Sequence, residues 1–250
     1  MRFVFVVLLL LGVLNAQEQK QKATIGAGPY IQTQPYKDVS PIFVPSPVIF
    51  FDNSLFYVRW TRVGVYFLGD KQEDYAWGFS LTAQPRPNGY KGSDSEFVKG
   101  MRARESTIEG GLAFSAIYKD LFFEMMALTD LLDRHDSWLA RAELGAKYEL
   151  GDFTLYPSIL LMYQSDKFVD YYYGVTASEV DASTGRTLYE PQGGLQLGAQ
   201  TFINYSISKN YSTLLNVRVD KITSDAAKSP LVNEEYIYSG LVSLMYTFEY

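Results

Sequence analysis

Apolar and polar residues alternate with period two over long stretches of this 250-residue chain. The clearest stretch is the last, 236–250, whose even positions run Tyr236, Tyr238, Gly240, Val242, Leu244, Tyr246, Phe248 and Tyr250. The other row carries Ser239, Ser243, Thr247 and Glu249 beside Ile237, Leu241 and Met245. Successive strand side chains point to opposite faces, so the even row lies on a single face. Its length suits a tilted strand crossing a hydrocarbon layer, and Tyr and Phe at both ends of an apolar band are what outer-membrane barrel strands carry. A strand of a soluble sandwich also alternates, so the remaining strands must decide.

The pattern predicts strands near 23–31, 42–51, 54–60, 62–69, 75–85, 107–118, 121–131, 138–150, 153–165, 190–208, 211–222 and 236–250, twelve in all. In 138–150 the row Trp138, Ala140, Ala142, Leu144, Ala146, Tyr148, Leu150 opposes Arg141, Glu143, Gly145, Lys147 and Glu149. Leu195, Leu197, Ala199, Ile203 and Tyr205 oppose Gln196, Gln200 and Asn204, and Leu215, Val217 and Val219 oppose Asn216, Arg218 and Asp220. A soluble core does not gather charges of both signs on its inner face, whereas a barrel lumen does. Glu109, Glu124, Arg141, Glu143, Lys147, Arg218 and Asp220 are therefore the lumen-facing candidates. In a barrel of ~12 strands, within a range of about 10–14, side chains can fill the interior, which favours an ion-pair plug over an open pore.

Connections alternate in length. Tight turns fall at Asp52-Asn53, 70–74, Lys119-Asp120, Gly151-Asp152 and Lys209-Asn210, and long loops at 32–41, 86–106, 132–137, 166–189 and 223–235. With both termini in the periplasm, every tight turn lies inside and every long loop outside, as in a bacterial outer-membrane barrel. Trp60-Thr61 has to be a very short outer hairpin for the count to stay even. Pro157 removes a ladder hydrogen bond inside its strand.

Residues 1–16 open with Met1-Arg2, continue in the apolar run 3–14 and end at Ala16 before a polar stretch, the pattern of a cleaved signal peptide. The remainder, 17–250, is expected to be one barrel domain. Beyond the first residues no run of 18 apolar residues exists, so no helix is expected to cross a membrane. The absence of cysteine removes disulfides and thiolate chemistry. With 22 basic and 28 acidic residues the chain is net negative, which argues against nucleic acid as a partner.

Candidate chemistry is sparse. The single histidine, His135, lies beside Ser137 in Asp133-Arg134-His135-Asp136-Ser137. A serine hydrolase would need those groups in a defined geometry, and a solvated polar turn is the expected reading. One His without Cys supplies no metal-ligand spacing. Gly26-Ala27-Gly28 precedes Pro29 and reads as strand, not as a phosphate loop. The loop 86–104 carries Arg86, Lys91, Lys99, Arg102 and Arg104, which suit lipopolysaccharide phosphates as well as plain solvent.

Three short motifs add a resemblance: Tyr171, Tyr172, Tyr173, Gly174 and Val175 after Asp170, then Tyr189, Pro191, Gly193 and Gly194, then Ser229 and Pro230 before Leu231-Val232. In order and spacing, and with Tyr246-Thr247-Phe248 near the end, the chain resembles the MltA-interacting protein (MipA/OmpV) family over nearly its whole length. That resemblance implies an outer-membrane protein without catalytic residues or cofactors, surrounded by outer-membrane lipid and lipopolysaccharide. It also implies a scaffold joining a lytic transglycosylase to a penicillin-binding protein, while other members resemble adhesins or osmotically regulated outer-membrane proteins, and the alternative reading is a small outer-membrane channel or adhesin.

Overall fold

A computed structural model describes residues 22–87 and 89–249. The expected signal peptide, 1–16, and the closing Tyr250 lie outside the described residues. Antiparallel strands run in sequence order around a closed ring: β1 (Lys22–Gln32), β2 (Ile42–Asp52), β3 (Phe56–Arg59), β4 (Arg62–Lys71), β5 (Tyr75–Arg86), β6 (Thr107–Tyr118) and β7 (Leu121–Asp130). They continue as β8 (Trp138–Ala146), β9 (Tyr148–Leu150), β10 (Phe153–Gln164), β11 (Gly194–Ser206), β12 (Tyr211–Lys221) and β13 (Tyr236–Glu249), and β13 pairs with β1 to close the ring. Segments β8 and β9 both pair with β10 and form one pass across the wall, which makes a twelve-stranded barrel.

The outward row is apolar all round. On β13, Tyr236, Tyr238, Val242, Leu244 and Tyr246 are exposed while Ile237, Leu241, Ser243 and Met245 are buried. Aromatic pairs sit near both rims: Tyr211–Tyr246 and Phe153–Tyr205, with centroids 5.0 and 4.8 Å apart, at the end bearing short turns, and Trp138–Tyr163 at 5.6 Å at the other. A closed ladder satisfies its backbone groups internally, the condition for crossing lipid as strands.

Short connections gather at one end, where Lys119 (φ 52°) and Gly151 (φ 62°) adopt the left-handed backbone that tight turns require. Three departures from the pattern have physical causes. The interruption between β8 and β9 falls at Lys147, because Pro157 on the facing stretch of β10 has no N–H to offer while its pairing with β11 continues unbroken. Residues 190–193, expected in a strand, belong to the loops instead, and β11 begins only at Gly194.

The third concerns Trp60-Thr61. It is a hairpin turn, with Trp60 at φ 59°, but it does not lie at the outer rim. Strand β3 has four residues and meets β2 only at Phe50–Asp52, so the chain turns back inside the wall and leaves Ile42–Val48 of β2 without a β3 neighbour. A strand of that length spans far less than a bilayer.

Candidate functional site: a filled lumen beneath a packed cap

The lumen is filled by polar side chains. Glu124 receives Arg59 at 3.0 Å and Arg62 at 2.7 Å, and Arg59 continues to Asp52 at 3.1 Å. Tyr57 lies flat against this cluster, its hydroxyl 3.0 Å from Thr82 Oγ1, and Gly64 provides the space, since a Cβ there would stand 2.3 Å from the ring. Across the interior, Arg141 donates to Glu143, which also accepts Ser158 Oγ at 2.7 Å and Gln200 Nε2 at 2.6 Å. Arg218 holds Asp220 with two bonds of 2.6 and 2.7 Å, and Gln196 and Gln164 extend the chain. Such charges remain buried because each has a counter-charge and further hydrogen bonds.

Of the seven lumen candidates, Glu109, Glu124, Glu143 and Asp220 are buried, and Arg141 and Arg218 are mostly so. Lys147 differs: at the strand interruption it pairs with Glu149 near the short-turn rim and is partly exposed. The charges that sequence reading missed are Asp52, Arg59 and Arg62. Alternation in 56–66 places Tyr57 and Arg59, then Arg62, Gly64 and Tyr66, on the inner row, a signal hidden by the brevity of β3.

Above the lumen, the long connections fold inward into an apolar cap. Helix α1 (Asp166–Tyr173) buries Phe168, Val169, Tyr172 and Tyr173, which pack with Tyr36, Tyr90, Val98 and Leu231 from three other loops. The three stretches that carry the resemblance meet here. Tyr173 C=O accepts Ser229 Oγ at 2.6 Å, and Val175 and Tyr189 exchange backbone bonds of 2.9 and 3.0 Å. Gly174 N–H donates to Asp170 C=O at 2.8 Å and Gly193 N–H to Asp166 Oδ1 at 2.7 Å. Neither glycine has room for a Cβ, which would lie 2.3 and 2.5 Å from the nearest atoms. The Tyr171 hydroxyl oxygen accepts the Glu105 N–H at 2.8 Å. Pro191 is buried, Gly194 opens β11 against Thr223, and Pro230 is half-buried beside the short helix α2 (Ser224–Ala227).

Two expectations are corrected at this cap. Arg86 and Arg104, read as part of a basic surface loop, are buried: Arg86 grips Glu109, and Arg104 holds both oxygens of Glu179 at 3.2 Å, tying loop 87–106 to loop 174–193. Desolvation would raise the Glu179 carboxyl, but bonds from Arg104 and from the Thr176 and Arg102 N–H groups bring it down to about 2. Of the loop's basic groups, Lys91, Lys99 and Arg102 remain at the surface.

His135 is the second correction. It is buried beneath Phe168, Tyr171 and Tyr172, with Nδ1 2.6 Å from Ser137 Oγ and Nε2 3.9 Å from Glu109 Oε1. Burial pushes its pKa down, and Asp130 and Glu109 offset this only in part. Asp130 supports the turn by accepting the His135 and Asp136 N–H groups at 2.6 and 3.2 Å, which draws the loop inward. Ser137 and His135 line neither of two surface clefts, one formed by loops 34–42 and 87–94 and the other by 100–102 and 176–179.

A model of the family described as MltA-interacting protein MipA matches residues 25–248. The MltA-interacting protein of Escherichia coli (strain K12) is 27% identical over 97% of this chain and 98% of its own length. The putative outer membrane protein YiaT of the same organism is 23% identical over 93% and 94%. Among solved structures, the translocator domain of autotransporter NalP from Neisseria meningitidis covers 93% of this chain and 90% of its own, at 10% identity and a TM-score of 0.43. The strand count therefore rests on the ladder register and not on that likeness.

Proposed function

This chain belongs to the MltA-interacting protein (MipA) family of outer-membrane β-barrels, and from that premise we propose that it is a non-enzymatic scaffold bringing a lytic transglycosylase together with a penicillin-binding protein. The observation that carries the reading is the interior. A lumen occupied by Arg59, Arg62, Glu124, Arg141, Glu143, Arg218 and Asp220 beneath a packed cap counts against a small conducting channel and leaves the rims for function. The family relatives are named as an interacting protein and as an outer membrane protein, not as enzymes.

Periplasmic partners reach only the rim of short turns, around Asn53, 72–74, Lys119-Asp120, Gly151-Asp152 and Lys209-Asn210. Such turns offer little area, so the interface is transient and below ~1,200 Å². The test is affinity capture from solubilised envelopes, read by mass spectrometry. Lys119→Glu with Lys209→Glu lowers recovery of a lytic transglycosylase, while Lys91→Glu with Lys99→Glu on the opposite rim does not. Wild-type protein that captures no peptidoglycan enzyme, or that shows steady single-channel conductance in planar bilayers, overturns the scaffold.

A further inference from the structure

The early turn at Trp60-Thr61 leaves a notch in the outer half of the wall, between β2 and β5. Beyond the contact of Phe50 with Arg59, β2 continues through Ile42–Val48 with a partner on the β1 side only. On the far side β4 ends its pairing at Val63–Ala83, and β5 runs on through Gln84–Arg86 paired with β6. The last bond across the gap is Trp60 N–H to Ile49 C=O, 2.8 Å.

The backbone groups of alternate residues point to the same side of a strand. Ile49 therefore shows that Pro45 and Pro47 also direct their backbone toward the notch. On β5, Pro85 stands opposite Ile108, whose C=O accepts Leu131 N–H at 2.9 Å on the side away from β5. Opposed residues in an antiparallel pair share one bonding state, so Pro85 too faces the notch, with Pro87 two residues further on. Pro45 and Pro47 on one edge and Pro85 and Pro87 on the other thus offer no N–H, and within Ile42–Val48 only Phe43 presents one to the notch. A strand from another chain needs donors as well as acceptors along the edge it joins, and these edges refuse it.

What meets the notch is set by its surroundings. Its edges lie in the apolar belt, with Phe43 70% exposed. Val44, although on the inward row with the buried Ser46 and Val48, is 43% exposed, because no wall covers it. Toward the long-loop rim the opening continues into a cleft of about 310 Å³ whose lining includes Gln34, Ile42, Pro87 and Asp94. Its floor is the hairpin itself, where the Trp60 ring turns inward to donate to Ser46 Oγ at 2.9 Å and packs edge-on against Tyr30 and Phe202.

We propose that this notch is a lateral binding site for an acyl chain of outer-leaflet lipopolysaccharide, with the chain lying along β2 over Val44 toward Trp60 and its head group toward the long-loop rim. An acyl chain is the medium that contacts this height of the wall, needs no hydrogen-bond donors from the edge, and buries the apolar surface left by the missing half-strand. The inference stands independently of the scaffold reading.

Trp60 is a built-in reporter, since the chain has three tryptophans and Trp77→Phe with Trp138→Phe leaves it alone. The full barrel is placed in vesicles of lipopolysaccharide and phospholipid in which the lipopolysaccharide acyl chains carry bromine, which quenches a tryptophan it touches. A second variant retaining only Trp138, exposed on the outer face, serves as the reference that quenches in any case. The expected result is quenching of Trp60 by brominated chains, lost when the notch is filled by Val44→Phe or, separately, by Pro87→Phe. Heat-modifiable migration on a gel verifies that each variant is folded. A Trp60 that stays unquenched while Trp138 is quenched overturns the site, as does quenching that survives both filling substitutions.

Discussion

The wall and the cap of this barrel are stabilised by different means. In the wall, each strand is held by neighbours through ladder bonds, and the side-chain rule is simple alternation: Leu144 outward, Glu143 inward, Ala142 outward. In the cap, loops 33–41, 87–106, 131–137, 165–193 and 222–235 are ordered by side chains such as Arg104, Glu179, Arg186 and Ser229 that meet groups from distant parts of the chain. Loss of one wall ladder bond leaves its neighbours in place. Loss of one cap side chain is expected to loosen the loops it joins, so the cap should respond more strongly to single changes.

The largest effect expected follows from that contrast. Breaking the buried Arg104–Glu179 pair by Glu179→Ala strands an arginine among Tyr90 and Tyr171 and costs about 3–5 kcal/mol. The cost falls on the cap alone. Hydrogen exchange should accelerate over 97–104 and 174–189 while the strands keep their protection and the barrel keeps its heat-modifiable migration. Equal loosening of β10 or β13 would mean that wall and cap fold as one unit.

On the wall the corresponding change is Leu197→Arg, which places a charge on the lipid face and costs about 2–4 kcal/mol at mid-membrane. Urea titration of folding in lipid measures it. Glu143→Gln is the sharper companion, because it leaves the lipid face intact and removes the counter-charge of Arg141. Inner-row polarity is thus not a licence for substitution, and a larger loss for Glu143→Gln than for Leu197→Arg would place the lumen network above the lipid belt in importance.

Acid should separate the two regions again. His135 has its folded pKa below the unfolded value near 6.5, so the unfolded cap binds its proton first and stability falls as pH drops below that value. Glu179 is held down to about 2, so its contribution is complete above the unfolded range near 4.5 and is lost as pH falls from there toward 2. The cap therefore loosens in two steps, the first absent in His135→Gln. Limited proteolysis of the loops by an acid-active protease between pH 7 and 3 reads both.

The same contrast explains what was legible in the sequence. Alternation marks the wall because each position's environment is set by parity, and β12 and β13 follow it residue by residue. The cap has no period, so Tyr171, Tyr172 and Tyr173 were visible only as a motif, and the packing of the first two onto His135 and of the third onto Tyr36 was not. His135 itself looked solvated because its neighbours Asp133, Arg134 and Asp136 are polar, and the Asp130 carboxylate that turns it inward acts through three dimensions. The notch escaped for another reason: Trp60-Thr61 shows a turn, but only the register of β2 with β3 tells at what height it occurs.

The smallest effect tests parity where it weakens. Lys147 shares the inward row with Arg141 and Glu143 in the sequence, yet the interruption opposite Pro157 carries it to the rim, where it pairs with Glu149, itself largely exposed. Exposed pairs contribute about 0–1 kcal/mol, so Lys147→Ala should leave the urea midpoint in lipid almost unchanged. Arg141→Ala is the matched comparison: it abandons Glu143 inside the lumen, with only Ser158 and Gln200 still donating, and should cost several-fold more. Burial, and not row, then decides what a charge on this wall contributes. If the two variants unfold at the same urea concentration, Lys147 reaches the network after all and the break between β8 and β9 does not redirect it.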